Sequence, residues 1–208
     1  MIEIQFQTEE EAFWAGEFGN DYIERNQPEA YLQSNIAFFQ EILHKLPDVK
    51  TVIELGANIG NNMMALHHVN PDLKLTAVEI NQKAYTRLQK LDYVEAIHQS
   101  ILNFDTSRTW DLVLLRGVLI HLSPEKLPEV NALIHRLSAQ YICLNEYYSP
   151  TPMEIPYRGH RNRLYKRDFA GDMLDQFADL KLFDYGFQYR HDPAVPDEDM
   201  HWFVLSKS

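Results

Sequence analysis

Gly56, Asn58 and Gly60 follow the β-branched run Thr51-Val52-Ile53-Glu54-Leu55, and Glu79 ends a second apolar run, Leu75-Thr76-Ala77-Val78. The first run suits a buried strand, and the glycines permit a turn whose backbone can lie against a ligand. A helix opening at about Asn61 would point its free N–H groups at that turn. Glu79, with Ile80 beside it, stands about 20 residues beyond the turn at the tip of the next strand, where an acid accepts hydrogen bonds from two ribose hydroxyls. The pattern is that of a nucleoside-binding strand–helix–strand unit.

The turn also says which nucleoside. Its G-x-N-x-G spacing lacks the third glycine that lets a helix close on a pyrophosphate. Glu54, two residues before the first glycine, would repel a diphosphate and suits a ligand carrying an ammonium or sulfonium charge. S-adenosylmethionine (SAM) fits this turn and NAD fits it poorly. The arrangement resembles the first two motifs of the Rossmann-like methyltransferases.

The elements that must position these residues are readable from periodicity and punctuation. Helices are expected from Glu9 to about Asn26 and from Gln33 to Leu46, the second stopped by Pro47. Strand and helix then alternate: strand 51–55, helix 61–69, strand 74–79, helix 81–90, strands 93–98 and 111–116, helix 125–137 started by Ser123-Pro124, and strand 140–145. An irregular stretch from Tyr147 to about Leu164 precedes a helix near 168–176 and two strands near 180–187 and 201–206. This order predicts an α/β fold with a mostly parallel seven-stranded sheet, helices on both faces and an N-terminal helical lid. It is read as one domain, 1–208, with the lid over 1–47, a Rossmann-like core over 48–208 and a substrate insertion at about 147–167. An exposed acidic turn is expected over 193–199.

In such a sheet the ligand lies beyond the carboxyl ends of the strands. After the third strand come Ser100 and Ile101, where a methyltransferase commonly has an acid and an apolar residue that meet the adenine; here serine replaces the acid. Arg116 ends the fourth strand, followed by Gly117-Val118-Leu119-Ile120-His121. His121 is a candidate general base, because an imidazole takes a proton near neutral pH. Glu146 and Tyr147, after the fifth strand, are its rivals, and Tyr148 beside them is placed for substrate. On the N-terminal helix, Tyr22 and Arg25 lie within one turn and Trp14 lies two turns earlier. The superfamily resemblance implies that this helix closes over the cofactor, Arg25 pairing with the methionine carboxylate and an aromatic covering the sulfonium.

The formal net charge of −11 argues against broad nucleic-acid or anionic-membrane binding. Its distribution is uneven. Arg158, Arg161, Arg163, Lys166 and Arg167 fall in eleven residues without an acid, so 157–167 carries +5 and the remainder −16. With Tyr157 and His160 interleaved, this island suits bidentate capture of a carboxylate or phosphate on a small acceptor. The adjacent His67 and His68 cannot share one helix face and no Cys cluster accompanies them, so no metal is expected. A lone cysteine, Cys143, no signal-like N-terminus and no long apolar run fit a cytoplasmic protein, monomer or homodimer, without a membrane partner.

A narrower resemblance emerges from Phe13-Trp14-Ala15-Gly16-Glu17-Phe18-Gly19-Asn20-Asp21-Tyr22, Gly117-Val118-Leu119-Ile120-His121-Leu122, Glu146-Tyr147-Tyr148-Ser149-Pro150, Tyr157-Arg158-Gly159-His160 and Lys166-Arg167-Asp168-Phe169-Ala170-Gly171. From near residue 8 to the C-terminus the chain resembles the pseudaminic acid biosynthesis-associated methylases. That resemblance implies a small SAM-dependent methyltransferase of modified nonulosonic or amino-sugar pathways, acting on N or O of a small anionic acceptor. A methyltransferase for a free amino acid or other small amine, a non-catalytic SAM-binding protein and an RNA methyltransferase stay open as rivals.

Overall fold

The computed structural model describes residues 5–25, 27–192 and 199–208. The expected acidic turn lies outside them except for Asp199, as does the expected helix end at Asn26. Contacts group the chain into two compact units, Met1–Thr106 and Ser107–Ser208.

The first unit holds α1 (Glu9–Ala15), α2 (Glu17–Arg25), α3 (Pro28–Lys45), β1 (Thr51–Leu55), α4 (Asn61–Val69), β2 (Lys74–Glu79), α5 (Gln82–Leu88) and β3 (Val94–His98). Its strands are parallel in the order β3-β2-β1. Val52, Ile53 and Leu55 of β1 and Ala77 and Val78 of β2 have no exposed surface. Strands buried on both faces need helices on both, which is what continuous apolar runs encode.

The single helix expected over 9–26 is two helices. Thr8 and Glu11 form a capping box that starts α1, and Gly16, extended at φ −91° and ψ −152°, ends it. The second expected helix begins earlier, at Pro28, a residue suited to the first turn. Its Phe39, Ile42 and Leu46 are core side chains.

The second unit holds β4 (Trp110–Arg116), α6 (Leu127–Leu137), β5 (Ser138–Glu146), β6 (Met153–Glu154), β7 (Tyr165–Lys166), α7 (Phe169–Gln176), β8 (Leu180–Gln188) and β9 (Met200–Lys207). Here the order is β4-β5-β9-β8, with β4 and β5 parallel and β9 antiparallel to both its neighbours. The main sheet therefore has seven strands and is mostly parallel. The helix expected from 125 opens as a 3-10 turn, Pro124–Lys126, before α6.

The stretch expected to be irregular contains a β-hairpin. Met153 and Glu154 pair with Lys166 and Tyr165, Ile155 N–H donates to Leu164 O at 2.9 Å, and Tyr157 and His160 exchange backbone hydrogen bonds at 2.8 and 2.9 Å. Arg158 (φ 49°) and Gly159 (φ 86°) form its two-residue tip, the double left-handed geometry of a type I′ turn.

Among the described residues no helix is long and apolar enough to cross a membrane.

Candidate functional site

The first unit builds a turn and an acid. Gly56 (φ 78°), Asn58 (φ 50°) and Gly60 (φ 89°) are all left-handed, which explains why G-x-N-x-G puts glycine or asparagine at alternate positions, the residues that tolerate this backbone best. The turn is tied to β2: Gly56 and Ala57 N–H donate to Val78 O at 2.8 and 3.1 Å. Glu79 completes the tie. Its Oε2 accepts from Asn58 N–H at 2.7 Å and its Oε1 from Asn81 N–H at 2.6 Å. Burial raises its pKa, and these backbone donors oppose the rise. Glu54, 1% exposed, accepts from Asn62 Nδ2 of α4 at 2.6 Å. The turn is thus flanked by two buried carboxylates, Glu54 and Glu79, both acceptors.

The flanking residues are placed as follows. Ile80 is half-buried, and its carbonyl accepts from His98 Nε2 at 3.0 Å. Ser100 Oγ accepts from Leu102 N–H, so that Ser100 caps the 3-10 turn carrying Ile101, and donates to Glu11 Oε1. An acid therefore does stand at this strand end, delivered by α1 rather than by β3. Trp14, Phe18 and Tyr22 pack edge to face, Trp14–Tyr22 at 5.2 Å and Trp14–Phe18 at 5.4 Å. Arg25 is exposed, its guanidinium 5.3 Å from the Phe18 ring and 5.8 Å from Tyr22.

The second unit builds a buried histidine and a cationic hairpin. Arg116 ends β4 half-buried, and Gly117 (φ 64°) turns the chain so that its N–H reaches Asn145 O at 2.9 Å. The following 3-10 turn, Leu119–His121, is clamped by Glu146. Val118 N–H lies 3.0 and 3.1 Å from the two carboxylate oxygens, Leu119 N–H 3.0 Å from Oε1 and Ile120 N–H 3.4 Å from Oε2. Burial pushes the Glu146 carboxyl up to about 7 against these three donors. Glu146 thus holds the turn that carries His121.

His121 Nδ1 sits 2.6 Å from Arg163 O. A carbonyl only accepts, so Nδ1 carries the proton and Nε2 is the deprotonated nitrogen of the neutral ring. Burial lowers its pKa to about 4. The Tyr157 ring is 5.1 Å away, and Lys166 Nζ lies 4.8 Å over the ring of Tyr147. The hairpin thus brings Tyr157, Arg163 and Lys166 to His121 and Tyr147. Its tip does not join them: Arg158, His160 and Arg161 are exposed, Arg158 lying 5.8 Å from the Tyr157 ring centre. Tyr148 packs on His201 and Phe203 of β9 at 5.4 and 6.0 Å. Arg167, counted in the basic island, pairs with Asp172 at 2.5 Å.

Sequence reasoning missed Asn81, Asn62 and Glu11. Asn81 before a helix and Thr8-x-x-Glu11 are readable cap signatures, whereas nothing local marks Asn62 as the partner of Glu54. No group of three or more His, Cys, Asp or Glu side chains among the described residues is arranged to hold a metal.

Neither a protein-family model nor a curated protein sequence matches the chain. Solved structures do match. The 1,6-didemethyltoxoflavin-N1-methyltransferase of Burkholderia thailandensis, with bound 1,6-didemethyltoxoflavin and S-adenosylhomocysteine, is 16% identical at a TM-score of 0.74, over 100% of this chain and 93% of that one. Magnesium protoporphyrin IX methyltransferase from Synechocystis PCC 6803, with bound S-adenosylhomocysteine, is 15% identical at 0.68, over 95% and 98%. A glycopeptide N-methyltransferase is 13% identical at 0.64, over 88% and 99%. At such identities the likeness speaks for the fold: the chain has the mixed α/β, Rossmann-like architecture of these methyltransferases.

Proposed function

We propose that the protein is a SAM-dependent methyltransferase acting on a nitrogen or oxygen of a small anionic, sugar-derived acceptor such as a nonulosonic acid or nucleotide sugar. The observation that carries the reading is Glu79, a buried carboxylate fixed by Asn58 and Asn81 beside three left-handed turn residues. Its two oxygens accept short hydrogen bonds from Asn58 and Asn81 N–H, with Ile80 N–H a further donor; a carboxylate has about four acceptor sites, which leaves capacity for a ribose hydroxyl. Gly56, Asn58 and Gly60 would lie along the methionine part, with Glu54 favouring the sulfonium. Ile80, Ile101 and the Ser100–Glu11 pair would flank the base. Trp14, Tyr22 and Arg25 would cover the donor. The S-adenosylhomocysteine bound by the neighbours named above supports the donor assignment.

Bound there, with Glu79 and the turn holding it in place, SAM would supply an electrophilic methyl group for in-line displacement by the acceptor's lone pair, the carbon–sulfur electron pair staying on sulfur. The chain's main contribution is alignment and exclusion of water. His121 is the residue for the departing proton. It stays neutral at pH 7, and an acceptor hydroxyl becomes strongly acidic as the new bond forms, so even a weak base suffices. Tyr147, Tyr157, Arg163 and Lys166 would line the acceptor side, with Arg158, His160 and Arg161 of the hairpin tip meeting its anionic group.

Titration calorimetry with SAM tests the donor. Binding by the wild type and a loss of at least about tenfold in Glu79→Ala are expected; no wild-type binding, or equal affinity in the variant, overturns the assignment. Labelled SAM with a panel of anionic sugars and free amino acids, the products identified by mass, tests the acceptor.

A further inference from the structure

We propose that Asn81 is a latch that fastens the α1–α2 segment to the donor turn, so that donor binding and docking of this segment reinforce one another; the coupling rests on the donor reading above. Asn81 is 3% exposed and uses every polar atom it has. Its Oδ1 caps α5, accepting from Lys83 and Ala84 N–H at 2.9 and 3.0 Å. Its Nδ2 reaches Trp14 O at 3.1 Å, Ala15 O at 3.3 Å and Asn20 Oδ1 at 3.1 Å. Its backbone N–H is held by Glu79, which also holds Asn58 of the turn. A continuous path of hydrogen bonds thus runs from the last two carbonyls of α1, through Asn81 and Glu79, to the turn.

Packing follows the same line. A Cβ on Gly19 would fall 1.8 Å from Trp14 O and 2.9 Å from Asn81 Nδ2, so glycine is what lets α2 come this close. Ile23 of α2 is buried in one cluster with Ile59 of the turn and Ala84 of α5. The exposed ion pairs of Glu24 with Lys83 and Arg87, at 2.8 and 2.9 Å, add little. Hydroxyl groups arriving at Glu79 pull on the carboxylate that positions Asn81, and coupling of this kind is reciprocal.

Asn81→Asp separates the latch from the cap. Aspartate still accepts from Lys83 and Ala84 N–H, and at a helix N-terminus it is favoured. It loses the donor to α1 and sets negative charge against two carbonyls. Hydrogen exchange without ligand should rise at least about tenfold over residues 9–25 while residues 82–88 stay protected, and SAM affinity should fall about tenfold. In the wild type SAM should slow exchange over 9–25. Asn20→Ala should reproduce part of both effects. Unchanged protection of 9–25 in Asn81→Asp overturns the latch; a loosened segment with unchanged SAM affinity overturns the coupling. A wild type that does not bind SAM fails the donor reading and the coupling with it, while unliganded exchange still decides the latch.

Discussion

Two buried ionisable groups of the second unit should bend the stability of this protein with pH in opposite directions. Burial holds the His121 imidazole at about 4 against an ordinary 6.5. Its contribution is therefore fully present above pH 6.5 and lost as pH falls towards 4, because the unfolded chain binds the proton first. The gap, at about 1.4 kcal/mol per pH unit, amounts to about 3 kcal/mol. Glu146 is the mirror case: burial raises it to about 7 from 4.5, so its contribution is present below pH 4.5 and lost, by about 3 kcal/mol, as pH rises to 7. Between 4.5 and 6.5 the two slopes cancel in the wild type, and only variants expose them. His121→Asn keeps an amide donor for Arg163 O and removes the titration. Urea unfolding of both proteins at half-unit steps from pH 4 to 7.5 gives a difference curve from which all other groups drop out. The wild type should lose stability relative to His121→Asn by up to about 1.4 kcal/mol per unit below 6.5. Relative to Glu146→Gln, it should lose stability as pH rises. A flat His121 curve would mean that the ring is hydrated in the folded state, and the argument from its burial would fall with it.

Gly60→Ala should destabilise the first unit by about 3 kcal/mol, from left-handed strain plus overpacking, since its Cβ would sit 2.7 Å from Leu88 Cδ1 and 2.8 Å from Leu91 Cδ1 at φ 89°; the urea midpoint reads it. Arg158→Ala and Arg161→Ala, both at exposed positions, should raise the acceptor KM about tenfold while SAM affinity stays within about twofold, a split that steady-state kinetics and calorimetry resolve together. Cys143 has no exposed surface, and burial pushes its thiol up to about 12. A thiol reagent at pH 8 should therefore label it only at the rate of unfolding, and fast labelling of native protein would contradict the packing of β5.

What was legible in the sequence follows physical range. The bounds of β1, α4 and β2 read correctly because each is set by its own residues, a β-branched run or a glycine turn. The break at Gly16 was hidden because α1 and α2 share an aromatic pattern and glycine alone does not end a helix. The hairpin over 153–166 was hidden because two-residue strands are too short for alternation, and its tip sets Arg158 where asparagine or aspartate usually signals the turn. At the candidate site, Glu79 and the turn were visible through spacing. Glu146 was visible as an acid at a strand end, but its task was not, since the N–H groups it holds lie 26 to 28 residues away.

Glu79 and Glu146 are one device used twice, each carboxylate facing three backbone N–H groups. Each is a buried carboxylate at the carboxyl end of a strand that accepts N–H groups of a neighbouring loop, which offsets part of the desolvation of its charge. Glu146 makes four contacts to three N–H groups, filling the roughly four acceptor sites a carboxylate has. Glu79 makes two short bonds, one per oxygen, to Asn58 and Asn81 N–H, with Ile80 N–H a further donor. It fixes its loop and still has acceptor capacity, so a ligand hydroxyl can be added without releasing the turn. Loss of a donor's hydroxyl groups should then weaken binding at Glu79 without loosening Asn58, whereas any variant of Glu146 should disturb His121 first.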